Sequence, residues 1–245
     1  MLEIEARWVG ESLSKLEAEK LSPILNIGSA TLEFRQQVQP WIDRWIFAPL
    51  RQRGVEVHHH DVQAGAGIDI RGDLSDKDFV SSLLERRYRT VLCCNLLEHV
   101  VDPSAVCAII ERLLEEQGYS VVTVPHDFPY HPDPIDTMFR PEPNELAAMF
   151  PSCRLLDGAI IDCGTGWDYV EHNPWKLIRR LIRRLSGLRE HGGPKGTTSF
   201  IPYLFRRFQQ TCTVLQKAQT SPLVDKPSGL PLAPSNHPSI PKNIG

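Results

Sequence analysis

The sequence predicts a doubly wound α/β fold built on a mostly parallel sheet with helices on both faces, and three observations carry that prediction. The runs Ile24-Leu25-Asn26-Ile27, Thr90-Val91-Leu92-Cys93-Cys94 and Ser120 to Val124 have the near-continuous apolar character of strands buried on both faces. Between the second and third runs, Val106, Ile109, Ile110, Leu113 and Leu114 recur at helical spacing after Pro103. Gly28 follows the first run directly, where a strand turns towards its helix. Strand, helix and strand repeated in this order is the pattern of an open parallel sheet.

Taken in order, Ala6 to Glu19 reads as a helical lead-in that ends before Ser22 and Pro23. After the first strand, Glu33 to Arg53 reads as helix with Trp41, Trp45, Ile46 and Leu50 near one face. Pro40 kinks or divides it, because proline lacks the amide donor and clashes one turn back. Gly54 stops this stretch and Val55 to His60 reads as the second strand, followed by Gly- and Asp-rich loops over Asp61 to Asp78. Phe79 to Glu85 reads as a short helix, and the helix after Pro103 is expected to run to Gly118. A polar loop spans His126 to Pro143, and Asn144 is expected to cap a helix over Glu145 to Phe150. Two closing strands are expected at Arg154 to Asp162 and Thr211 to Gln216.

The organisation is therefore a lead-in over 1–20, one domain over 21–216 with an insertion at 171–210, and a Pro- and Ser-rich tail over 217–245. The tail carries almost no periodic apolar residues and is expected to be disordered. A length of 245 residues suits one decorated α/β domain, and 41% hydrophobic with 23% charged residues suits a globular chain. The net charge of -3 gives no global attraction to nucleic acid. Six cysteines show no paired C-x-x-C spacing and read as small buried hydrophobes. No apolar run of membrane-spanning length and no secretory leader pattern is present, so the cytoplasm is the expected compartment.

A glycine after the first strand lets the backbone approach a ligand closely, which makes Gly28 a candidate contact. Asp61 ends the second strand, where an acidic side chain can accept both hydroxyls of a ribose. In Gly72-Asp73-Leu74 a carboxylate is available to an exocyclic amine, and Asp73 is preferred over Asp69 for that role. A nicotinamide enzyme would prefer the fuller G-x-G-x-x-G turn, which is absent at Gly28.

The string Val91-Leu92-Cys93-Cys94-Asn95-Leu96-Leu97-Glu98-His99-Val100-Val101-Asp102-Pro103 closely resembles the fourth motif of class I S-adenosylmethionine-dependent methyltransferases of the type 11 group. Leu113 to Pro125 is similar to the segment that follows that motif, and the resemblance covers about 21–163. It implies a Rossmann-like fold, S-adenosylmethionine as cofactor, and contacts at Asn26, Gly28, Ala30, Asp61, Asp73, Asn95 and Leu96. The family more often has an acid where Asn26 stands and a second glycine where Ala30 stands. Two functions stay open on that ground: methyl transfer to an oxygen of a small-molecule or carbohydrate acceptor, or a catalytically silent binding or scaffold domain.

The loop from His126 to Asp136 leaves a central strand at its carboxyl end, where such sheets present substrates. His126 and His131 are the candidate bases, with Phe128 and Tyr130 available to a ring, and His131, Asp136 and Arg140 match an arrangement found in similar family members. Glu98 and His99 are expected to shape the turn after the strand. No spacing here matches a closed metal motif, and no metal is expected. Over 171–210 nine Lys or Arg stand against two Glu. Within it, Trp175 to Leu188 reads as an amphipathic basic helix, either a lid over the site or a helix docked on an anionic surface that holds a lipid-linked acceptor. Nucleic acid is not expected as a partner, since the remainder of the chain is acidic.

Overall fold

A computed structural model describes residues 1–131, 134–171 and 206–219. The expected basic helix at 175–188 and the tail beyond 219 lie outside the described residues. The lead-in forms α1 (Glu3–Ser14) and α2 (Ala18–Leu21), and β1 (Ile24–Ile27) follows. Two π-helical turns, Phe34–Val38 and Asp43–Phe47, alternate with α3 (Pro40–Ile42) and α4 (Ala48–Gln52). Pro40 divides this stretch as expected: Gln39 before it leaves helical geometry at φ -127°, and the helix restarts with proline in its first turn. Next come β2 (Val57–Asp61), β3 (Ile70–Arg71), α5 (Lys77–Leu83), β4 (Tyr88–Cys94), a 3-10 turn at Leu97–His99 and α6 (Pro103–Leu113). The chain continues through β5 (Leu114–Pro125), α7 (Pro143–Ala148), β6 (Cys153–Thr165), α8 (Gly166–Glu171) and β7 (Arg207–Lys217).

The described strands form one sheet in the order β3-β2-β1-β4-β5-β7-β6. Strands β3, β2, β1, β4 and β5 pair in parallel, and β7 runs antiparallel between β5 and β6. Alternate residues of the central strands feed two separate cores. Leu25, Ile27, Val91, Cys93, Val122 and Val124 pack with α5, α6 and α7 on one face. Ile24, Leu92 and Val121 pack on the other face with Ala6, Val9 and Leu13 of α1 and with Ile42, Ile46, Phe47 and Leu50. Both faces are covered, which is why the strands read as continuous apolar runs.

Three expected boundaries are corrected. Helix α6 ends at Leu113 and not at Gly118, because Leu114 already pairs with Tyr88 in the sheet. The Lys217 ammonium donates to the carbonyls of Glu111 (2.6 Å) and Leu114 (2.9 Å), which meets acceptors that the helix end leaves open. Helix α7 is capped by Glu142 and not by Asn144: Pro143 takes the first helical turn, and the Glu142 amide donates to Glu145 Oε2 at 2.8 Å. Arg207 to Gln210, placed in the insertion by the sequence reading, belong to β7 and pair with β6. No described helix is long and apolar enough to cross a membrane.

Helix α1 crosses the π-helical stretch at Gly10, where a Cβ would overlap the backbone carbonyl of Trp45. Helix propensity alone favours alanine over glycine by about 1 kcal/mol. Overpacking against backbone costs about 1–3 kcal/mol and opposes it. Gly10→Ala is therefore expected to lower the urea midpoint, and an unchanged or raised midpoint would contradict the close approach.

Candidate functional site

The site begins at the turn after β1. Gly28 has φ +68°, and a Cβ there would sit 3.2 Å from the Leu96 side chain. Glycine thus serves both the left-handed conformation and the close approach of the Leu96 turn. Ala30 also lies in the left-handed region, at φ +51°, and its amide donates to Asp61 Oδ2 at 2.8 Å. The other Asp61 oxygen accepts from the Gln63 amide at 3.0 Å. The buried Arg35 guanidinium donates to the carbonyls of Ser29 (3.1 Å), Gly67 (2.8 Å) and Ala30. Together with Leu32 N–H to Ala66 O at 2.8 Å, these bonds fasten the β1 turn to the loop between β2 and β3. The turn is held by its own chain.

Over the carboxyl ends of β1 and β4 lies a cavity of about 520 Å³. That volume is within the ordinary range for small-molecule sites. Its apolar wall comes from Phe34, Trp41, Ile42, Phe47, Leu92 and Phe128. Among the residues expected at a cofactor site, Asn26, Gly28, Ala30 and Asn95 line it. Leu96 stands behind Gly28, and Asp61 braces the turn through Ala30. Asp73 is not brought to the cavity: it is exposed and accepts the Ser75 amide at 2.8 Å before α5. Of the two expected bases, His131 lines the cavity. His126 turns away towards Glu142 (3.6 Å) and Thr211 (3.5 Å).

The sequence reading missed four polar side chains. Glu5 of α1 is fully buried and accepts Asn95 Nδ2 and Thr123 Oγ1, each at 2.6 Å, and the Leu2 amide at 2.9 Å. Asn95 holds φ +50°, a conformation that asparagine tolerates better than most residues. Gln39 and Gln210 line the cavity, and each has a buried amide oxygen without a partner among the described residues. An unpaired buried acceptor costs about 1–3 kcal/mol unless something donates to it. Arg35 is the fourth. One signal for Glu5 was available: Glu5, Ala6, Val9 and Leu13 share a helical face, so an acid stands on the apolar side of α1.

A second group collects beside the cavity. The Glu98 carbonyl accepts the Thr137 amide at 2.9 Å and Thr137 Oγ1 at 3.1 Å, and His99 Nδ1 meets the Ile135 carbonyl at 2.5 Å. These bonds strap the loop after His131 onto the Leu97–His99 turn. Asp136 accepts from the His131 amide (3.0 Å), the Met138 amide (2.8 Å) and Arg140 Nη2 (2.8 Å). Burial works against its ionised form, but Arg140 and these amides hold its carboxyl below the usual range. Burial pushes the Glu98 carboxyl up to about 8. All six cysteines are free, and burial raises the pKa of Cys93, Cys94, Cys107, Cys153, Cys163 and Cys212, so none is an activated nucleophile.

No family model and no curated protein matches the chain. Among solved structures it is similar to a protein assigned as a sarcosine dimethylglycine methyltransferase from Galdieria sulphuraria, at 13% identity, over 87% of this chain and 85% of that one, with TM-score 0.51. It is also similar to a fragment named StiE O-MT, at 14% identity, over 89% of this chain and 74% of that one, with TM-score 0.51. A longer fragment of the same protein gives 14% identity, 85% and 72% coverage, and TM-score 0.52. These likenesses identify the fold. The mostly parallel seven-stranded sheet flanked by helices is a class I S-adenosylmethionine-dependent methyltransferase-like fold.

Beside the cavity, Asn26 Nδ2 approaches His59 Nδ1 at 3.2 Å. Burial, helped by the nearby Arg35 charge, pushes the His59 pKa down to about 4. The unfolded chain therefore binds the proton more tightly than the folded one. Stability from this group is complete above the unfolded value of 6.5 and is lost as pH falls towards about 4. His59→Gln is expected to abolish this group's pH-dependent loss, roughly 3 kcal/mol over that window. Urea unfolding of both proteins at several pH values measures the difference, and parallel pH profiles would contradict the assignment.

Proposed function

We propose that the chain is an S-adenosylmethionine-dependent methyltransferase of the type 11 kind, occupying 21–216, that methylates an oxygen of a small-molecule or carbohydrate acceptor. The observation that carries this reading is the cavity itself. It lies over the carboxyl ends of β1 and β4, with Gly28 presenting backbone and two buried glutamine oxygens that lack donors among the described residues. A cofactor with an ammonium group and an aromatic base suits both those acceptors and the Phe, Trp and Ile wall. Gly28, Ala30, Asn26 and Asn95 would hold it, Leu96 backs Gly28, and Asp61 supports Ala30.

When bound, S-adenosylmethionine supplies a methyl group on a sulfonium leaving group. The chain's task is then to position the acceptor, exclude water and let its proton depart. His131, Phe128 and His99 line the part of the cavity at which the acceptor enters in this reading. Phe128 and His99 would orient the acceptor hydroxyl towards that methyl group, and the hydroxyl proton would leave past the partly exposed His131. The StiE fragment's name, O-MT, supports oxygen as the acceptor atom. A cofactor-binding domain without transfer is the second reading, favoured by the commitment of Asp61 to backbone amides and by alanine at position 30.

Calorimetry of the full chain with S-adenosylmethionine and with its demethylated product is expected to show one site for each. Gln210→Met removes an acceptor that has no partner among the described residues. It is expected to weaken both ligands about tenfold while leaving the thermal midpoint unchanged or raised. No binding of either ligand at millimolar concentration would overturn the cofactor reading. Binding without transfer to any of a panel of hydroxylated acceptors would favour the second.

A further inference from the structure

Glu98, His99 and His131 each offer one ligand atom, and these atoms lie within 4.8 Å of one another. We infer that these three side chains bind a divalent transition-metal cation beside the cavity. Four features of the cluster support the assignment.

First, Glu98 is fully buried, and both of its carboxylate oxygens lack a hydrogen-bond partner among the described residues. A buried carboxyl without donors is rare, since the charge must be paired, protonated or bound to a cation. Second, both rings have a defined tautomer. His99 Nδ1 meets the Ile135 carbonyl, and His131 Nδ1 meets the Pro129 carbonyl at 3.0 Å. A carbonyl only accepts, so each Nδ1 carries the proton and each Nε2 presents a lone pair. That pattern, with one ring nitrogen fixed by a backbone oxygen and the other free to ligate, is how metal-binding histidines are oriented.

Third, the geometry is set before any ligand arrives. His99 Nε2 lies 3.7 Å from Glu98 Oε1, and the two rings stand edge to face at 5.1 Å between centroids. The bonds that Thr137 donates to the Glu98 carbonyl and that the His131 amide donates to Asp136 hold the two segments together. Fourth, the neighbouring charges leave room for a cation. Arg140 is paired with Asp136, and the buried Glu5 carboxylate acts on Glu98 more strongly than either opposing charge, that of Arg140 or of the N-terminal amine. Two imidazoles with one carboxylate suit zinc, iron, cobalt or manganese, whereas magnesium prefers an all-oxygen shell.

His99 and His131 also line the cavity, so a cation held between them would lie beside the proposed acceptor. It would lower the pKa of a coordinated hydroxyl, as bound metals do for water. This role rests on the methyltransferase reading, and it makes His131 a metal ligand in place of a free base. Binding of the cation does not rest on it.

The test uses the full chain, stripped with EDTA and free of S-adenosylmethionine, titrated with Co²⁺ and separately with Zn²⁺. One equivalent is expected to remain after gel filtration, with visible d–d bands for Co²⁺. Glu98→Gln and His131→Asn are each expected to weaken retention at least tenfold. In the wild-type chain, Zn²⁺ is expected to protect His99 and His131 from diethyl pyrocarbonate, located by peptide mass spectrometry, while His58 reacts as before. This arm stands if the variants fail to fold. No retained cation, equal retention by folded variants, or unprotected His99 and His131 would overturn the inference. Cofactor binding is measured without metal, so the two readings fail separately.

Discussion

The site depends on one buried interaction, the Glu5 carboxylate receiving Asn95 Nδ2, Thr123 Oγ1 and the Leu2 amide. A carboxylate taken out of water is tolerated only when donors replace its hydration, and these three do so. Their origins matter more than their number. Asn95 follows β4, Thr123 belongs to β5, and Leu2 precedes α1, so one charge ties the lead-in helix to the ends of two central strands. Because Asn95 is held at a positive φ, the chain leaving β4 turns sharply into the Leu97–His99 segment. That turn places Leu96 against Gly28 and brings Glu98 and His99 beside the cavity.

The helical lead-in is thus part of the site. Met1 and Leu2 line the cavity together with residues of the β1 turn. On the opposite flank, Arg35 draws the carbonyls of Ser29, Ala30 and Gly67 to one guanidinium, and Asp61 takes the Ala30 amide. Alanine at position 30 adopts a conformation that glycine takes more readily, and the Asp61 and Arg35 contacts offset that cost. Asp61 and Arg35 therefore act as braces, which preorganise the turn at which a cofactor would bind.

Much of the fold was legible because the central strands are buried on both faces. Ile24 to Ile27 and Thr90 to Cys94 carry little polar interruption, so their boundaries were read nearly to the residue. Strand β3 was not legible, since Ile70–Arg71 is too short to show a period. The early end of α6 was hidden too, because Leu114 and Tyr119 fit either a helical stripe or a strand, and only pairing with β4 decides between them. In the site, Asn26, Gly28, Ala30 and Asn95 were legible through motif resemblance and meet at one cavity. Asp73 was selected by the same resemblance, yet it serves the turn before α5. His131 joins Glu98 and His99 only through hydrogen bonds between distant segments, and spacing along the chain carries no trace of such bonds.

The central claim is that the cavity over β1 and β4 receives the cofactor. Hydrogen–deuterium exchange of the full chain with and without S-adenosylhomocysteine tests it most directly. Slower exchange is predicted across 26–31 after β1 and across 94–99 after β4, with little change in α5 and β6. Binding accompanied by protection confined to other segments would contradict the account.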